Sequence, residues 1–359
     1  MGDAKAKSEQ HFLAADGRRF IAGALKAVGM PAADADAVAD MMLFADLRGV
    51  DSHGIVRLPS YIARLKAGGV NPKARLATVM DAPATALVDG DNGMGHLVMR
   101  RAAEIAIEKA EKTGVAWVGT RRSNHAGAGA CYAVMPLRHD MIGLYLAVAN
   151  NNHMAPWGGI EPLLGTNPIA VAIPTAAEPP VVLDIATTAI SSGKIRLAAD
   201  NGETLAEGLV IDNAGRPLTD PRRAREGEGL LLPIGGYKGF GLALVFSLLG
   251  SALNGMSSGR DTANIDEVSA AGDTGQAIMA LKVANFGPID DFKRRVDKIV
   301  RDIRTSKPGP GVAEVRYPGL NGHRTAAERG RGGVPIRAPL VSTLAKLAAE
   351  LAIDPLVVT

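Results

Sequence analysis

Residues 115–129 read VAWVGTRRSNHAGAG, a β-branched apolar run at 115–118 that leads into Ser123-Asn124-His125 and a string of small residues. The run predicts a strand, and its polar continuation predicts a loop in which glycine opens backbone conformations other residues avoid. Further short runs at 142–148, 169–173 and 181–183 alternate with loops rich in Gly, Asn and Pro. Helical patterns at 95–113 and near 290–304 flank them, the second after a strand at 278–283. Strands interleaved with helices spell an α/β core, and loops at strand ends are where chemistry concentrates. Aromatics at 4% beside 42 glycines leave packing to aliphatic side chains and close backbone approach, which favours α/β over a β-sandwich.

Outward from this core the chain becomes helical. Between Phe12 and Leu65 apolar residues recur at helical spacing, through Phe20, Ile21, Leu25 and then Val38, Met41, Met42 and Ala45. Pro31 divides two helices, and a third is expected after Gly54, carrying Leu58, Tyr61, Ile62 and Leu65 up to Gly68-Gly69. A last helix at 340–351 is expected to pack back on the body. The division is therefore 1–75 as a helical segment packing with the C-terminal region, 76–310 as the α/β core, and 311–359 as a segment returning to the N-terminal lobe. The apolar stretch 240–253 is too short to span a bilayer and is interrupted by Gly241, Ser247, Gly250 and Ser251, so it predicts a buried helix. Residues 218–229, with Pro221 and three arginines, predict a flexible excursion.

Composition narrows the function classes. A net charge of +3 without a basic block points away from nucleic acid and anionic membranes. Cys131 is the only cysteine, which rules out an intrachain disulfide and a cysteine-rich metal site, and fits a reducing cytoplasm. The polar start, MGDAKAKSEQ, lacks the apolar stretch of a secretory signal, so a cytoplasmic location is expected. No stretch carries G-x-G-x-x-G between strand and helix, and neither H-E-x-x-H nor G-x-S-x-G occurs. A standard Rossmann site, a zincin and an α/β-hydrolase thus lack their main signals.

Several clusters can carry chemistry. Ser52, His53 and Arg57 supply a hydroxyl, an imidazole and a planar fork suited to a carboxylate, a set that fits a small acid with an adjacent carbonyl. A plain helix terminus with solvated His53 and Arg57 is the alternative. His125 stands among small residues that let a flat ligand approach, or is simply a loop histidine. Asn150, Asn151 and Asn152, with Thr166 and Asn167 beyond them, offer amides and hydroxyls to a carboxamide or sugar, or form an Asn/Gly/Pro turn. Asp184 ends an apolar run, where it orients a histidine, binds ribose or caps a helix. Gly235-Gly236-Tyr237-Lys238-Gly239 enters the apolar helix, whose N-terminal amides with Lys238 suit a phosphate or pyrophosphate.

Taken in order, Gly49-Val50-Asp51-Ser52-His53-Gly54 with Arg57 and Tyr61, Ser123-Asn124-His125, Pro156-Trp157-Gly158-Gly159, Gly165-Thr166-Asn167-Pro168, Leu183-Asp184, Gly193-Lys194 and Gly236-Tyr237-Lys238-Gly239 resemble the type 2 malate/L-lactate dehydrogenase family. That family includes ureidoglycolate and sulfolactate dehydrogenases, diketogulonate reductase and cyclic ketimine reductases. The resemblance implies a non-Rossmann α/β fold of the malate/L-lactate (sulfolactate) dehydrogenase type, with a central mixed-sheet cofactor domain and a helical lobe. It also implies a homodimer and NAD or NADP as cofactor, with no metal. By the same analogy His125 is the proton donor/acceptor, with His53 and Ser52 nearby, Arg57 on the carboxylate and Asp184 in the catalytic set. The cofactor would be lined by Asn150, Asn151, Asn152, Thr166, Asn167, Asp184, Ile185, Ala186, Lys238, Tyr317, Pro318 and Gly319. At Tyr317-Pro318-Gly319-Leu320 the chain departs from the family's usual Pro-Gly-Glu.

The activity implied is hydride transfer between nicotinamide and C2 of a small 2-hydroxy/2-oxo acid, malate- or lactate-like. Three alternatives stand beside it: a cyclic imine reductase of the same fold, a ligand-binding relative without turnover, and a histidine-based hydratase or lyase that needs no nicotinamide.

Overall fold

A computed structural model of the protein describes residues 10–149, 151–262 and 264–359. The chain opens with a short strand, β1 (Gln10–Phe12), and the helices α1 (Ala14–Ala27) and α2 (Ala32–Leu47). Pro31 sits just ahead of α2, where its missing N–H leaves no helical bond unmade. Two 3₁₀ turns, Asp51–His53 and Ile55–Arg57, lead into α3 (Leu58–Ala67), which ends on Gly68 at φ 80°, the left-handed stop the Gly-Gly pair predicts.

The sheet region follows with β2 (Ala77–Asp81), β3 (Thr85–Asp89), α4 (Gly95–Thr113), β4 (Val115–Ser123), α5 (Ala130–Ala133), β5 (Met141–Ala147), β6 (Ile169–Ile173) and β7 (Val181–Ile185). Next come α6 (Ser192–Asn201), β8 (Val210–Asp212), α7 (Pro221–Arg223), β9 (Gly229–Leu231), α8 (Tyr237–Gly250) and β10 (Thr274–Lys282). The chain closes with α9 (Ile289–Arg304), α10 (Leu320–Gly332), β11 (Val334–Ile336) and α11 (Ala338–Leu351).

Seven strands form one mixed sheet in the order β2-β3-β4-β10-β5-β6-β7. Only β3 and β4 run parallel, joined by α4; the other pairs are antiparallel. Strand β10 comes back from late in the sequence to lie between β4 and β5. Its register sets Thr274 opposite Ser123 and Gln276 opposite Ala147, while β7 sets Ile185 opposite Ile169. The exits of β4, β5 and β7 therefore share one edge with the entrance of β10.

Apolar burial divides into clusters. One joins Phe12, Ile21, Leu25, Met42, Leu58 and Ile62 to Val334, Ile336, Leu344 and Leu347, so the first helices and the last helix share a core. Pairing of β1 with β11 closes that lobe. A second packs α4 and α5 on the sheet through Val98, Met99, Tyr132, Tyr145 and Ile278. A third, around Met154, Ile195, Val210, Leu231 and Ala243, lies under α6 and α8. Each fully buried large aliphatic side chain contributes about 1.5–3 kcal/mol.

Two expectations change. Helix α8 is buried on one face only: Ala243, Phe246, Ser247 and Gly250 face the protein, while Leu242, Val245 and Leu248 are about half exposed. The reason is contact geometry, since Gly250 packs against Leu146, Val148 and Gly275 and so lays a single side of the helix on the sheet. Residues 218–229 hold local structure: Asp220 caps α7, a π turn follows at Ala224–Glu228, and Arg225 pairs with Asp200 at 3.3 Å.

Leu344→Ala should lower the unfolding free energy by about 2–5 kcal/mol in a denaturant melt. Because the core is shared, amide exchange should also quicken in α1; protection unchanged there would separate the two ends of the chain.

Candidate active site

The helical lobe meets the sheet edge through residues 51–57. Gly54 separates the two 3₁₀ turns, and a Cβ there would fall 1.8 Å from the Asp46 carboxyl oxygen. Only glycine fits. The same buried carboxyl accepts the Ile55 N–H at 2.8 Å, which fixes the turn from below. Above it, His53 stacks on His125, ring centroids 5.5 Å apart and planes inclined by 24°. Ser52 Oγ lies 2.7 Å from His53 Nδ1. Arg57 Nε donates to the Ser52 carbonyl at 2.9 Å, and its two terminal amines have no protein partner among the described residues.

His125 is held from behind. Tyr61 Oη lies 2.6 Å from its Nδ1, and the Gly127 N–H donates to the same nitrogen at 3.3 Å. An amide N–H only donates, so Nδ1 accepts and the neutral ring carries its proton on Nε2. Asn124 anchors the loop by donating to the Asn92 and Gly93 carbonyls at 3.1 and 2.9 Å.

Burial first, and the Arg57 charge second, push His53 down to about 4 and His125 well below the ordinary histidine value. Both rings are neutral near pH 7. Burial pushes the Tyr61 hydroxyl up. Asp46 is raised to about 7 by burial, against the Ile55 bond, with Asp51 adding to the rise and Arg329 opposing it.

The other residues singled out in the sequence fall into two groups. Asp184 does not bond a histidine; it accepts the Ala130 N–H at 2.8 Å at the start of α5, and burial raises it to about 6 against that bond and the Arg48 charge. Beyond it Ile185 is exposed and Ala186 half-buried on the way out of β7. Thr166 accepts the N–H and hydroxyl of Thr187 through its carbonyl. Asn151 and Asn152 tie to Asp266 and the Gly259 carbonyl at 3.1 and 2.6 Å. Lys238 is exposed in the first turn of α8.

Two expected cofactor residues point inward instead. Asn167 is fully buried and spends its amide on the Ala243 carbonyl, the Ser247 hydroxyl and the Ala149 N–H. Tyr317 is buried with its hydroxyl on the Pro179 carbonyl, and Pro318 and Gly319 lie against Val182 of β7. Asn150 lies outside the described residues.

Sequence reasoning gave no place in the site to Tyr61, which reaches His125, or to Asp46, which braces the turn at Gly54. Only Tyr61 had left a trace, as a member of a motif.

The segment leaving β7 has features that suit a dinucleotide. Residues 187–189 run antiparallel to 232–234, beside the N-terminus of α8, and Thr188 carries a buried hydroxyl with no partner among the described residues. The segment then reaches the N-terminus of α6, where a Cβ on Gly193 would stand 3.5 Å from Ser52. Two helix N-termini and the exposed Ile185 thus border the segment 185–193, which ends with Gly193 beside Ser52, and helix N-terminal amides are donors suited to phosphate.

The family model for malate/L-lactate dehydrogenase matches residues 13–345. The L-sulfolactate dehydrogenase of Methanocaldococcus jannaschii is 40% identical over 94% of this chain and 96% of its own length. The (2R)-3-sulfolactate dehydrogenase (NADP(+)) of Chromohalobacter salexigens is 33% identical over 86% and 89%, and the ureidoglycolate dehydrogenase (NAD(+)) of Escherichia coli K12 is 30% identical over 84% and 85%. A solved structure of the M. jannaschii sulfolactate dehydrogenase superposes with a TM-score of 0.88 at 38% identity, covering 96% of this chain and 98% of that one.

The Asp46 carboxyl yields a pH test. Its folded value is about 7 against 3.8 for the ordinary group, so the stability it contributes is complete below the ordinary value and lost as pH rises through about 7. Asp46→Asn keeps an acceptor for the Ile55 N–H without a charge. Relative to wild type it should gain stability from about pH 5 to pH 8, by on the order of 3 kcal/mol. Urea melts at the two pH values measure this, and a gap that fails to widen would count against a buried carboxylate beneath Gly54.

Proposed function

The chain belongs to the malate/L-lactate dehydrogenase family, and on that premise we propose that it transfers a hydride between C2 of a small 2-hydroxy/2-oxo acid and NAD or NADP, with His125 moving the proton. The observation that carries this reading is the pair of neutral, stacked imidazoles beside Arg57, whose two terminal amines have no partner among the described residues. A guanidinium in that state takes a carboxylate in two parallel, charge-assisted bonds.

Binding and proton transfer are linked through that charge. In the free protein Arg57 helps hold His125 below its ordinary value. A substrate carboxylate seated on Arg57 offsets this charge, so His125 gains proton affinity as the substrate arrives. In reduction Nε2–H gives its proton to the substrate oxygen as the Tyr61 hydroxyl passes its own proton to Nδ1, and oxidation runs both transfers in reverse. Ser52 and His53 close the other side of the substrate oxygen. The nicotinamide, when bound, supplies the hydride acceptor or donor.

In this reading residues 76–310 carry the dinucleotide, while 1–75 and 311–359 build the lobe that brings Arg57 and His53. Asp184, Ile185 and Ala186 line the nicotinamide end, and Lys238 with the α8 N-terminus takes phosphate. Asp184 acts through the Ala130 N–H, steadying the helix that follows the His125 loop.

We place the protein in the cytoplasm, in keeping with a single buried thiol at Cys131. No helix among the described residues is long and apolar enough to cross a membrane. A second copy of the chain is the proposed cover for Leu242, Val245 and Leu248, since α8 carries no charge beyond Lys238.

An absorbance screen of NADH and NADPH oxidation against oxaloacetate, pyruvate and piperideine-2-carboxylate tests the reaction. A 2-oxo acid should be reduced, and His125→Ala should lose about 10²–10⁴-fold in turnover while still binding cofactor. Full activity in that variant would sink the assignment, and turnover of the cyclic imine alone would move the substrate class. Leu242→Glu with Leu248→Glu should convert a dimer to monomers in sedimentation velocity; a monomeric wild type would remove the proposed partner.

A further inference from the structure

His96 lies in the first turn of α4, 1% exposed, and neither ring nitrogen has a hydrogen-bond partner among the described residues. Among the described residues nothing replaces the bonds to water that such a ring gives up on burial, and native cores hold few groups in that condition. Its neighbours suggest what it is for. The ring meets Tyr61 edge-on, centroids 5.5 Å apart and planes inclined by 82°. On another side a Cβ added to Gly127 would fall 2.7 Å from His96 Nε2, and Gly127 holds φ at +70°, a region L side chains rarely adopt. Tyr61 and Gly127 are the two residues whose O–H and N–H reach Nδ1 of His125.

We propose that His96 is a positioning residue of the proton-transfer site, a wedge whose ring holds Tyr61 and Gly127 so that both donate to Nδ1 of His125 and the proton stays on Nε2. The kinetic part of this rests on the proposed role of His125; the tautomer part does not. What His96 supplies is shape, because neither nitrogen bonds any of the described residues. An apolar side chain of similar volume therefore does the same work. A truncation frees Tyr61 to tilt and Gly127 to turn its N–H away, and a small displacement of a proton-transfer group is enough to slow turnover.

The test is ¹⁵N NMR of the full chain labelled at histidine nitrogens, with His125 assigned by its loss in His125→Ala, alongside steady-state kinetics. Wild type and His96→Leu should both show His125 protonated on Nε2 alone, with kcat within about threefold of each other. His96→Ala should show exchange between the two tautomers and a kcat reduced about tenfold or more, with the KM for cofactor unchanged. A tautomer left intact in His96→Ala overturns the wedge. So does a His96→Leu protein that folds but is as impaired as His96→Ala, since the ring nitrogens would then take part directly.

Gly127→Ala provides the same comparison should His96→Ala not fold. Its Cβ requires His96 to move, so the His125 tautomer should again become mixed; an unmixed tautomer there also counts against the wedge. If the wild type turns over no substrate with either nicotinamide cofactor, the reaction assignment falls while the NMR comparison still decides the wedge.

Discussion

One buried cation holds the site together. The guanidinium of Arg64, 2% exposed, donates to the carbonyls of Gly69, Ile265, Glu267 and Ala270 at 3.2, 2.9, 2.9 and 2.7 Å, and to Asn124 Oδ1 at 3.2 Å. Burying a charge costs several kcal/mol unless protein dipoles replace the lost water, and five acceptors do so here. The three segments it joins are α3, the loop that enters β10, and Asn124 beside His125. Tyr61 stands one helical turn before Arg64, so the residue that reaches His125 is carried on the same short helix as the residue that fixes the His125 loop. A lysine has the charge but not the planar fork that can reach several carbonyls at once.

From that tie the electrostatics follow. Arg64 is saturated by its acceptors, whereas Arg57, a few residues earlier in the chain, has terminal amines without a partner among the described residues. The two arginines thus divide the labour between holding the structure and meeting an anion. The histidines lie close to the free one and stay neutral because burial and a nearby positive charge act in the same direction. Asp46 gives the opposite case, a carboxyl raised by burial beneath the turn that carries Ser52 and His53. Both halves of the site stand on turns braced by buried polar groups, and that bracing keeps two rings from separate parts of the sequence in register.

What could be read in the sequence was local. Helix α4 matches the expected span at Gly95–Thr113 because its apolar period is long and Gly114 stops it at φ 85°. The strands at β4 to β7 announced themselves by β-branched runs. His53, His125 and Arg57 were legible as chemistry because their types and neighbours suit a carboxylate and a proton. The 5.5 Å pairing of the two histidines was not, since it joins a turn of the helical lobe to the loop after β4, residues far apart in the chain. Arg64 carried no signal, because its partners are carbonyls of residues about two hundred positions away. The inward bonds of Asn167 and Tyr317 were not legible for a related reason: an amide or a phenol in a loop serves an internal carbonyl as readily as a ligand.

The missing glycine fingerprint has a structural counterpart. In a Rossmann site one tight turn must bring a single helix N-terminus to the pyrophosphate, which forces glycines at fixed spacing. Here the proposed phosphate path runs between two helix N-termini, α6 and α8, held side by side by the pairing of 187–189 with 232–234. With two ends sharing the anion, neither needs the tightest approach, and the glycine requirement falls on the entry to α8, where Gly236 takes φ +67° against the Trp157 ring. The path continues to Gly193 beside Ser52. The segment 186–193 therefore runs without a break from its pairing with 232–234, beside the α8 N-terminus, to the turn that carries Ser52 and His53, which is why one stretch of chain can serve both ends of the proposed site.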